Sequence, residues 1–569
     1  MFKTHRNSSL RLLRPLRISH LPSSSARLCH PRHMVTFTPT EKEQLFACRD
    51  RFLYNEKQQL AGRRIEFDTD AVQRVASSVV NAECTAFVTL AEGAYNKLYT
   101  LGFSNGQELI FRVPFPIAGP SHLVTASEVA TMEFMRETLG APVPRVLAWS
   151  SNTKASAIGS EFILMEKVAG KPFGVQWMTI CPDNIDDFVR NMVVQFALLQ
   201  SRSGVVGFSQ IGSLYFKEDV SKELQSRPLF SPHLNLDENE KLQEASNKYR
   251  VGPIAHHQWW RCERAQMELD RGPWPDAASY YRAAVEIEIA FIKSSYATNA
   301  EFRRTPFHSI DAHLKLLKDC LKVIPYIIPP EEYSYPTLWH PDPSDANIMT
   351  KANFEITGLI DWQHSVIAPY FQHHTEIPSA FAYNDGIVET PSEGYPTLPP
   401  NFKELEPEVQ DVYRAHTWMA MRQRIFEETM DRGNRNRAEF VSSVPSIVRL
   451  WMSLPEVALR TWSDGLTNIR TLLSDLTTYW PSISDEPCPI QVTSEEREEW
   501  MEEHERATRY CSNCEELRAE VGCQGDGLIT SASYEDAMKL VVAAERSWVE
   551  EEKGGPFPYK EGAWSFYLN

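Results

Sequence analysis

Two carboxylates and one amide within a short stretch have the spacing that phosphoryl transfer requires. Asp342 and Asn347 lie in the segment His340-Pro-Asp-Pro-Ser-Asp-Ala-Asn347, and Asp361 ends the apolar run that begins at Ile356. In such a reaction one carboxylate orients the attacking hydroxyl, whereas an amide and a second carboxylate hold magnesium against the phosphates. The spacing therefore predicts Asp342 as the catalytic base and Asn347 with Asp361 as metal ligands.

Strands on both sides of this loop must position the three groups. Leu338-Trp339 before the loop and Ile348-Met349 after it are apolar pairs, which is typical of buried strands. The polar turn from Lys351 to Asn353 lets the next strand fold back, so that Asp361 returns beside the loop. The alternative interpretation is a surface turn, because Pro, Ser and Asp are ordinary turn formers.

An antiparallel meander is predicted near residue 90. Apolar runs at 87–90 and 98–103 flank the loop 91–97, and the pair Asn105-Gly106 is a favoured hairpin turn. A loop in this position can lay its backbone N–H groups over phosphates, with Gly93 and Asn96 as the predicted contacts. Gly93 is the only glycine in the loop, so a plain surface hairpin would give the same pattern.

Arg112 on the third strand is the candidate cation for the α and β phosphates, since its guanidinium can grip phosphate oxygens in a bidentate fork. The helix predicted from Ala126 to Leu139 carries Glu128 on its apolar face. A buried carboxylate needs a cation, so we expect Glu128 to pair with Arg112. The alternatives are an outward-facing Arg112 and a capping box between Glu128 and Thr125.

The run Glu161-Phe-Ile-Leu-Met-Glu-Lys-Val168 predicts a buried strand that leads into a connector. The backbone from Glu166 to Val168 would then meet the adenine edge of a nucleotide. Further along, the segment His256-His257-x-Trp259-Trp260 could contact a substrate or could simply pack.

Bulk composition restricts the class of protein. A chain of 569 residues allows about two to four domains. Its formal charge of -17 argues against a nucleic-acid partner, which would need a basic face. No apolar run approaches the length that spans a bilayer, and the ten scattered cysteines indicate a reducing compartment.

The two ends of the chain differ from its middle. Residues 1–34 contain Arg, Ser and Leu without any acid, which is typical of a mitochondrial transit peptide, although a disordered basic tail is the alternative. Residues 481–569 are acidic and predicted to be helical. Their Cys511-x2-Cys514 pair, with Cys523 and His504, could suggest zinc, but cysteines packed in a helical hairpin fit the charged surroundings better.

Several separated motifs make the chain resemble the aminoglycoside phosphotransferase and choline kinase superfamily. The closer resemblance is to the altered inheritance of mitochondria protein 9 group. The segments that carry it are Ala91-Glu-Gly-Ala-Tyr-Asn-Lys97, Pro116-Ile-Ala-Gly-Pro120, Thr125-Ala-Ser-Glu-Val-Ala-Thr-Met-Glu133, Pro144-Arg-Val-Leu-Ala-Trp149, Arg271-Gly-Pro-Trp274 and Ile360-Asp-Trp-Gln363.

The resemblance implies an α+β, bilobal, protein-kinase-like fold with a small antiparallel-sheet lobe and a large, mainly helical lobe. The expected divisions are an amino-terminal extension at 35–85, the lobes at 86–165 and 166–480, and the carboxyl-terminal extension. It also implies ATP and magnesium as ligands, an unidentified small hydroxylated or amino-bearing acceptor, and mitochondrial residence. Arg112 replaces the usual Lys and the phosphate loop is poor in glycine, so a degenerate, nucleotide-binding scaffold is the alternative function.

Overall fold

The computed structural model describes residues 16–17, 34–180, 184–237, 239–298, 310–391 and 394–560. Apart from residues 16, 17 and 34, the predicted transit peptide lies outside the described residues. In chain order the elements before the connector are β1 (Leu16–Arg17), α1 (Pro39–Phe46), β2 (Arg51–Phe52), α2 (Glu56–Arg63), α3 (Thr69–Val80), β3 (Cys84–Glu92), β4 (Asn96–Phe103), β5 (Glu108–Pro114), α4 (Leu123–Glu133), β6 (Val146–Ser150) and β7 (Phe162–Glu166).

The smaller lobe is a sheet with the strand order β1-β6-β7-β5-β4-β3. The strands β3 to β7 pair antiparallel, and the two residues of β1 lie parallel to β6. Buried aromatic and aliphatic side chains of β3, β4 and β5 pack against α3, among them Phe87, Tyr99 and Phe111. Burial of each such side chain contributes roughly 1.5–3 kcal/mol, so this core holds the meander against α3.

Local sequence sets the ends of the helices. Asp68 caps α3, because its side chain accepts from the backbone N–H groups of Asp70 and Ala71. The helix α4 begins three residues before the predicted start and continues as a π-helical turn over Phe134–Thr138. It stops at Gly140, whose φ of +67° few other residues adopt.

The larger lobe is mainly helical. Its elements are β8 (Lys171–Pro172), α5 (Ile185–Phe188), α6 (Val194–Gly204), β9 (Ser213–Phe216), α7 (Lys222–Gln225), α8 (Glu240–Lys248), β10 (Tyr249–Gly252), α9 (Ala277–Thr298), α10 (Ile310–Ile327), α11 (Glu331–Ser334), β11 (Pro336–Leu338), β12 (Ile348–Thr350), β13 (Ile356–Leu359), β14 (Ile367–Pro369), α12 (Tyr370–His374), α13 (Pro407–Gly433), α14 (Arg435–Ser443), α15 (Ser446–Leu450), α16 (Leu454–Asp464) and α17 (Thr467–Tyr479). The antiparallel pairs β12/β13 and β11/β14 frame the predicted catalytic loop.

The carboxyl-terminal region consists of α18 (Ser494–Val521), β15 (Leu528–Ile529), α19 (Tyr534–Ser547) and α20 (Glu550–Lys553). Although β15 lies far along the chain, it pairs antiparallel with β2. A hydrophobic cluster that includes Leu53, Tyr54, Leu517 and Val541 holds this region against the amino-terminal extension. The two extensions therefore form one packed unit.

The α+β, bilobal arrangement predicted from the sequence is confirmed. The domain boundaries at residues 35, 86, 166 and 481 stay predictions. Within the described ranges, every helix is too short or too polar to cross a membrane.

Candidate active site

The loop that carries Asp342 is anchored in the core at both ends. Leu338 at the end of β11 and Ile348 at the start of β12 are 1% and 0% exposed. Asp342 lies between them and is exposed. Since apolar anchors hold both ends, the short connection must present its polar residues to the cleft.

His340 holds this loop in place. Its Nδ1 accepts from the backbone N–H of Asp342 at 3.2 Å, so Nε2 carries the proton and donates to the carbonyl of Ile360 at 2.8 Å. Burial lowers the pKa of this ring, against the opposing effect of these bonds and of nearby carboxylates. The imidazole is therefore neutral and links the Asp342 loop to the strand that precedes Asp361.

Asp342 and Asn347 are bonded to each other. The Asn347 side-chain N–H donates to Asp342 Oδ2 and to the Asp342 carbonyl, each at 3.0 Å, and Ser344 Oγ donates to Asp342 Oδ2 at 3.2 Å. Because the amide nitrogen faces Asp342, the amide oxygen of Asn347 points elsewhere. That oxygen is the atom that a magnesium ion would take.

Asp361 returns beside this pair through the β12/β13 hairpin. The hairpin pairs Ile348 with Leu359, and the Ile360 N–H donates to the Asn347 carbonyl at 3.0 Å. Asp361 itself has a φ of +65°, and its side chain is 48% exposed. The left-handed turn directs the carboxylate away from the hairpin and towards the other lobe.

Arg112 receives that carboxylate. Its Nη2 donates to Asp361 Oδ1 at 2.5 Å, and its Nη1 donates to Glu128 Oε1. The Arg112 and Glu128 side chains are 5% and 2% exposed, so the predicted pair is present and buried. The alternatives do not occur: Arg112 does not face outward, and Thr125 donates to Glu161 at 2.6 Å. One guanidinium thus joins two carboxylates from opposite sides of the cleft.

Within the charged trio of Arg112, Glu128 and Asp361, the pKa values of the two carboxyl groups shift in opposite directions. Burial raises the pKa of Glu128 to about 7, although Arg112 opposes the shift. Burial also acts to raise the pKa of Asp361, but the charge and hydrogen bond of Arg112 outweigh it and hold that pKa below its usual value. Asp361 is therefore ionised at neutral pH, as a magnesium ligand must be.

The phosphate loop between β3 and β4 uses some of its polar groups internally. The Gly93 N–H donates to the Asn96 carbonyl at 2.9 Å. The Asn96 side chain is buried and donates to Gln363 Oε1 at 2.8 Å, while Gln363 donates back to Asn96 Oδ1 at 3.3 Å. These bonds bind the loop to the residues that follow Asp361. Phosphate contacts by Gly93 and Asn96 stay predictions.

The predicted connector leaves β7 and turns against the β12/β13 hairpin. Glu166 Oε1 accepts from Arg145 Nε at 3.0 Å, whereas Val168 packs on the backbone of Gly358. Both residues line a cleft of about 560 Å³, whose walls include Leu109, Arg145 and Thr357. The charged trio does not line this volume, so the role of the connector in adenine binding stays a prediction.

Sequence reasoning missed several contacts of this site. Gln363 follows Asp361 by two residues and could have been noticed from that position alone. Lys97 gave no comparable signal: it is completely buried, pairs with Glu92 at 2.6 Å and donates to the Ala47 carbonyl. This pair fixes the base of the phosphate loop against the amino-terminal extension.

The donor set suits magnesium. Asn347 and Asp361 supply hard oxygen atoms, and magnesium commonly takes one or two protein oxygens together with substrate phosphates.

In the described part of the chain no group of three or more His, Cys, Asp or Glu could hold a metal ion. The suggested zinc site at Cys511, Cys514, Cys523 and His504 is therefore not found, and Cys511 and Cys514 lie within α18.

A family model described as the phosphotransferase enzyme family matches residues 87–372. The match runs from β3 to α12, covers just over half of the chain and includes Arg112, Glu128, Asp342, Asn347 and Asp361. The chain belongs to this phosphotransferase family. The family assignment made from the sequence is therefore confirmed.

Relatives of this chain occur in fungi. A subtelomeric hrmA-associated cluster protein of Aspergillus fumigatus is 30% identical over 470 residues, which are 75% of this chain and 87% of the relative. The altered inheritance of mitochondria protein 9, mitochondrial, of Candida albicans is 25% identical over 452 residues, 74% of this chain and 69% of the relative. The predicted mitochondrial localisation is confirmed by the naming of these latter relatives.

A solved structure is also similar to this chain. It is described as a candidate fructosamine-3-kinase of Thermobifida fusca and has 12% identity, with 71% of this chain and 97% of that chain covered at a TM-score of 0.37. A likeness of this size says nothing about the reaction.

Proposed function

We propose that the protein is an ATP- and magnesium-dependent phosphotransferase that acts on a hydroxyl group of a small molecule in mitochondria. The observation that carries the proposal is the joining of Asp342, Asn347 and Asp361 by one loop and hairpin, with Arg112 reaching Asp361 from the other lobe. Membership of the family supports the reaction class.

In the proposed reaction Asp342 accepts the proton of the attacking hydroxyl. The acceptor oxygen bonds to the γ-phosphorus of ATP, and the bond from that phosphorus to the β,γ-bridging oxygen breaks to release ADP. Asp342 suits this role because it is exposed and its carboxylate is oriented by Asn347 and Ser344. A fixed carboxylate keeps the hydroxyl in line with the γ-phosphorus.

Asn347 and Asp361 would hold the magnesium ion through the amide oxygen and the exposed carboxylate. Magnesium, when bound, neutralises charge on the phosphate oxygens. Arg112 orients Asp361 and supplies the cation for the α and β phosphates. Glu128 in turn fixes Arg112 from α4. The same guanidinium can serve both roles if a phosphate oxygen displaces one of the carboxylates that are hydrogen-bonded to it.

A test of this proposal measures nucleotide binding and transfer separately. Thermal unfolding of the protein is followed with ATP and magnesium, with ATP and a chelator, and without ligand. We expect the midpoint to rise most with ATP and magnesium, because ligand binding to the native state stabilises it. Hydroxyl-bearing mitochondrial metabolites are then screened with labelled ATP for a phosphorylated product.

A second function is favoured by one observation. Asp361 is hydrogen-bonded to Arg112, and the Asn96 amide is hydrogen-bonded to Gln363, so two of the predicted ligand-binding groups already bond to other side chains of the protein. A protein that binds nucleotide without turnover, as a mitochondrial scaffold, would fit this arrangement. Metal-dependent stabilisation without any product would favour the scaffold, and the absence of nucleotide binding would contradict both functions.

A further inference from the structure

Arg422 is a buried cation that the proposed reaction has not used. It lies on α13, and 8% of the residue is exposed. Among the described residues it forms no hydrogen bond and no salt bridge, and its Nε atom is buried without a partner. Buried charges in proteins are ordinarily paired and hydrogen-bonded. An unpaired guanidinium therefore indicates a binding group that the folded chain does not itself supply.

The other buried arginines of the described residues all have partners. Five of them form salt bridges with carboxylates, namely Arg63, Arg112, Arg264, Arg437 and Arg470. The remaining two, Arg250 and Arg271, donate to backbone carbonyls. Arg422 is thus the exception among them, and general rules of burial do not explain it.

The surroundings of the Arg422 guanidinium are mainly apolar. Its central carbon lies 5.9 Å from the ring centroids of both Phe173 and Trp177. Burial lowers the pKa of Arg422 to about 10, so the group stays charged at neutral pH but loses part of its solvation. An apolar side chain of similar length would avoid this cost, because it carries no charge to desolvate. Packing alone therefore does not account for an arginine here.

The guanidinium lines a small pocket, which we call the Arg422 pocket. Its walls come from α13 and from the segment 177–188, and they include Trp177, Ile180, Phe188, Trp418 and Met419. The pocket has a volume of about 10 Å³, which is close to the space that one water-sized group needs. Both tryptophans are only half-buried, so part of each indole stays accessible. The pocket can therefore take one end group of a ligand whose remainder lies against the indoles.

One wall of the Arg422 pocket is bonded to the catalytic loop. The strand β8, which precedes Trp177, pairs with β12, which follows the loop. Between them, the Gly174 N–H donates to the carbonyl of Asp345 at 3.0 Å. Asp345 follows the predicted base, Asp342, by three residues. The Trp177 wall and the loop are therefore direct neighbours.

The wall formed by α13 is linked to the same loop. The Ala380 N–H donates to the Pro343 carbonyl at 3.3 Å, and the Tyr383 N–H donates to Gln423 Oε1 on α13 at 2.7 Å. Pro343 is the residue directly after Asp342. Both walls therefore adjoin the loop whose carboxylate must meet the acceptor hydroxyl.

The charge of Asp345 restricts what the Arg422 pocket can bind. Its carboxylate acts electrostatically on Arg422 and opposes the effect of burial on the pKa of the guanidinium, although the two groups form no salt bridge. A cationic end group would be repelled by Arg422, and an anionic one by Asp345. A hydroxyl oxygen accepts from a guanidinium N–H without adding charge. A single oxygen also fits the small volume, whereas a phosphate group does not.

We propose that the Arg422 pocket is the acceptor subsite and takes an uncharged, ring-shaped compound with several hydroxyl groups, such as a neutral sugar. This inference rests on the proposed phosphotransferase function and deepens it. One hydroxyl oxygen of the acceptor accepts from Arg422, and the apolar face of its ring packs on Trp177 and Trp418. Another hydroxyl is then left for transfer at Asp342.

The test compares the binding of ring compounds that differ in charge. Saturation-transfer NMR titrations of the full-length protein give Kd for glucose and inositol as uncharged compounds, glucosamine as the cation and glucose 6-phosphate as the anion. This measurement does not depend on turnover. We expect at least one uncharged compound to bind about fivefold or more tightly than both charged ones.

Variants connect that preference to Arg422. Arg422→Met should weaken binding of the uncharged compound about tenfold, because it removes a charge-assisted hydrogen bond. Its unfolding midpoint without ligand should stay the same or rise, since an unpaired buried charge is removed. A purely structural arginine would give the reverse, a lower midpoint with unchanged binding. Arg424→Met is the matched control, because Arg424 lies on the same helix and pairs with Glu427 and Glu428. Its binding should equal that of the wild type.

The outcomes separate this inference from the function on which it rests. Tighter binding of a charged compound, or no binding of either uncharged one, overturns the subsite. Unchanged binding in Arg422→Met also overturns it and means that the pocket holds a water molecule only. Trp418→Leu removes one indole wall, should weaken binding severalfold, and decides the question if Arg422→Met does not fold. Stabilisation by ATP and magnesium reports the phosphotransferase independently, and its absence would contradict that function.

Discussion

Two ends of the candidate site are built from opposite kinds of groups. One end is the charged trio of Arg112, Glu128 and Asp361, in which a single guanidinium joins two carboxylates. The other end is the group of Tyr95, His256, His257 and His364, whose imidazole rings are uncharged because they are buried. Burial acts on both ends, but only the trio contains a partner of opposite charge.

This difference explains how the two ends can have separate roles. A buried ion pair needs its partner, since removing one member leaves an uncompensated charge in a poorly solvated place. Neutral rings need only hydrogen bonds and packing. The charged end is therefore expected to be sensitive to any change of residue, whereas the neutral end is expected to tolerate changes that keep its hydrogen bonds and packing.

Replacing the predicted base should have the largest effect on activity. Asp342→Asn removes the proton acceptor and keeps the bonding geometry, so transfer is expected to fall by roughly 10²- to 10⁴-fold. Binding of ATP with magnesium should be unchanged, as measured by the rise in unfolding midpoint. Asp345→Asn, in the same loop and packed against Gly174, is the control. Equal losses in both variants would argue that the loop had merely been disturbed.

Breaking the charged trio should have the largest effect on stability. Arg112→Met leaves Glu128 buried without its cation, and the free energy of unfolding is expected to fall by about 3–5 kcal/mol. Chemical denaturation measures the loss. Adding Glu128→Gln to this variant should restore part of the stability, because the buried side chain then no longer has to be ionised or protonated in the absence of its cation. If the double variant is less stable than the single one, the pairing does not explain the loss.

Lowering the pH should reduce the free energy of unfolding through the histidines of the neutral end. The folded-state pKa values of His256 and His364, about 3 and 4, lie below the ordinary value of 6.5. Between pH 6.5 and the folded-state pKa values, the unfolded chain binds more protons than the folded chain. The contribution of these rings to the free energy of unfolding is therefore complete above pH 6.5 and is lost as the pH falls. Each ring contributes a slope of at most about 1.4 kcal/mol per pH unit.

The measurement for this pH effect is a comparison of slopes. Denaturation of the wild type and of the His256→Asn, His364→Gln double variant is followed from pH 7 to pH 4. Carboxylates titrate in both proteins, so only the difference reports the rings. Identical slopes in the two proteins would contradict burial as the cause of the low pKa values.

The smallest expected effect concerns the link between the two ends. Tyr95→Phe removes the hydroxyl that bonds to His257 and keeps the ring contact with His364. The free energy of unfolding should fall by about 1 kcal/mol, the usual contribution of one such bond. Tyr395→Phe, which removes an exposed bond to Glu428, is the control. A loss of several kcal/mol at Tyr95 would show that the loop tip stabilises more than this contact.

The sequence was sufficient for features that depend on neighbouring residues. The hairpin turn at Asn105-Gly106 lies where the pattern predicts it, and Gly106 has a φ of +80°. The β12/β13 hairpin is also local, because a short polar turn joins its strands. Asp361 therefore returns to Asn347 by a path that can be followed along the chain.

Contacts between distant segments could be predicted only where a chemical need pointed to a partner. The buried Glu128 required a cation, and Arg112 was the candidate; that Arg112 also reaches Asp361 was not foreseen. The His256-His257 pair was noticed without a partner, since nothing in the sequence connects it with Tyr95. Likewise, no pattern indicates that β15 pairs with β2.

The amino-acid sequence by itself determined the strands, the hairpin and the order of Arg112, Glu128, Asp342, Asn347 and Asp361, because propensity and hydrophobic period act over a few residues. Only the tertiary structure decided which charges share a partner, which rings become neutral and which remote segments lie beside the phosphate loop. Those properties depend on burial and on distances between remote residues, and both arise only when the two lobes and the extensions pack together.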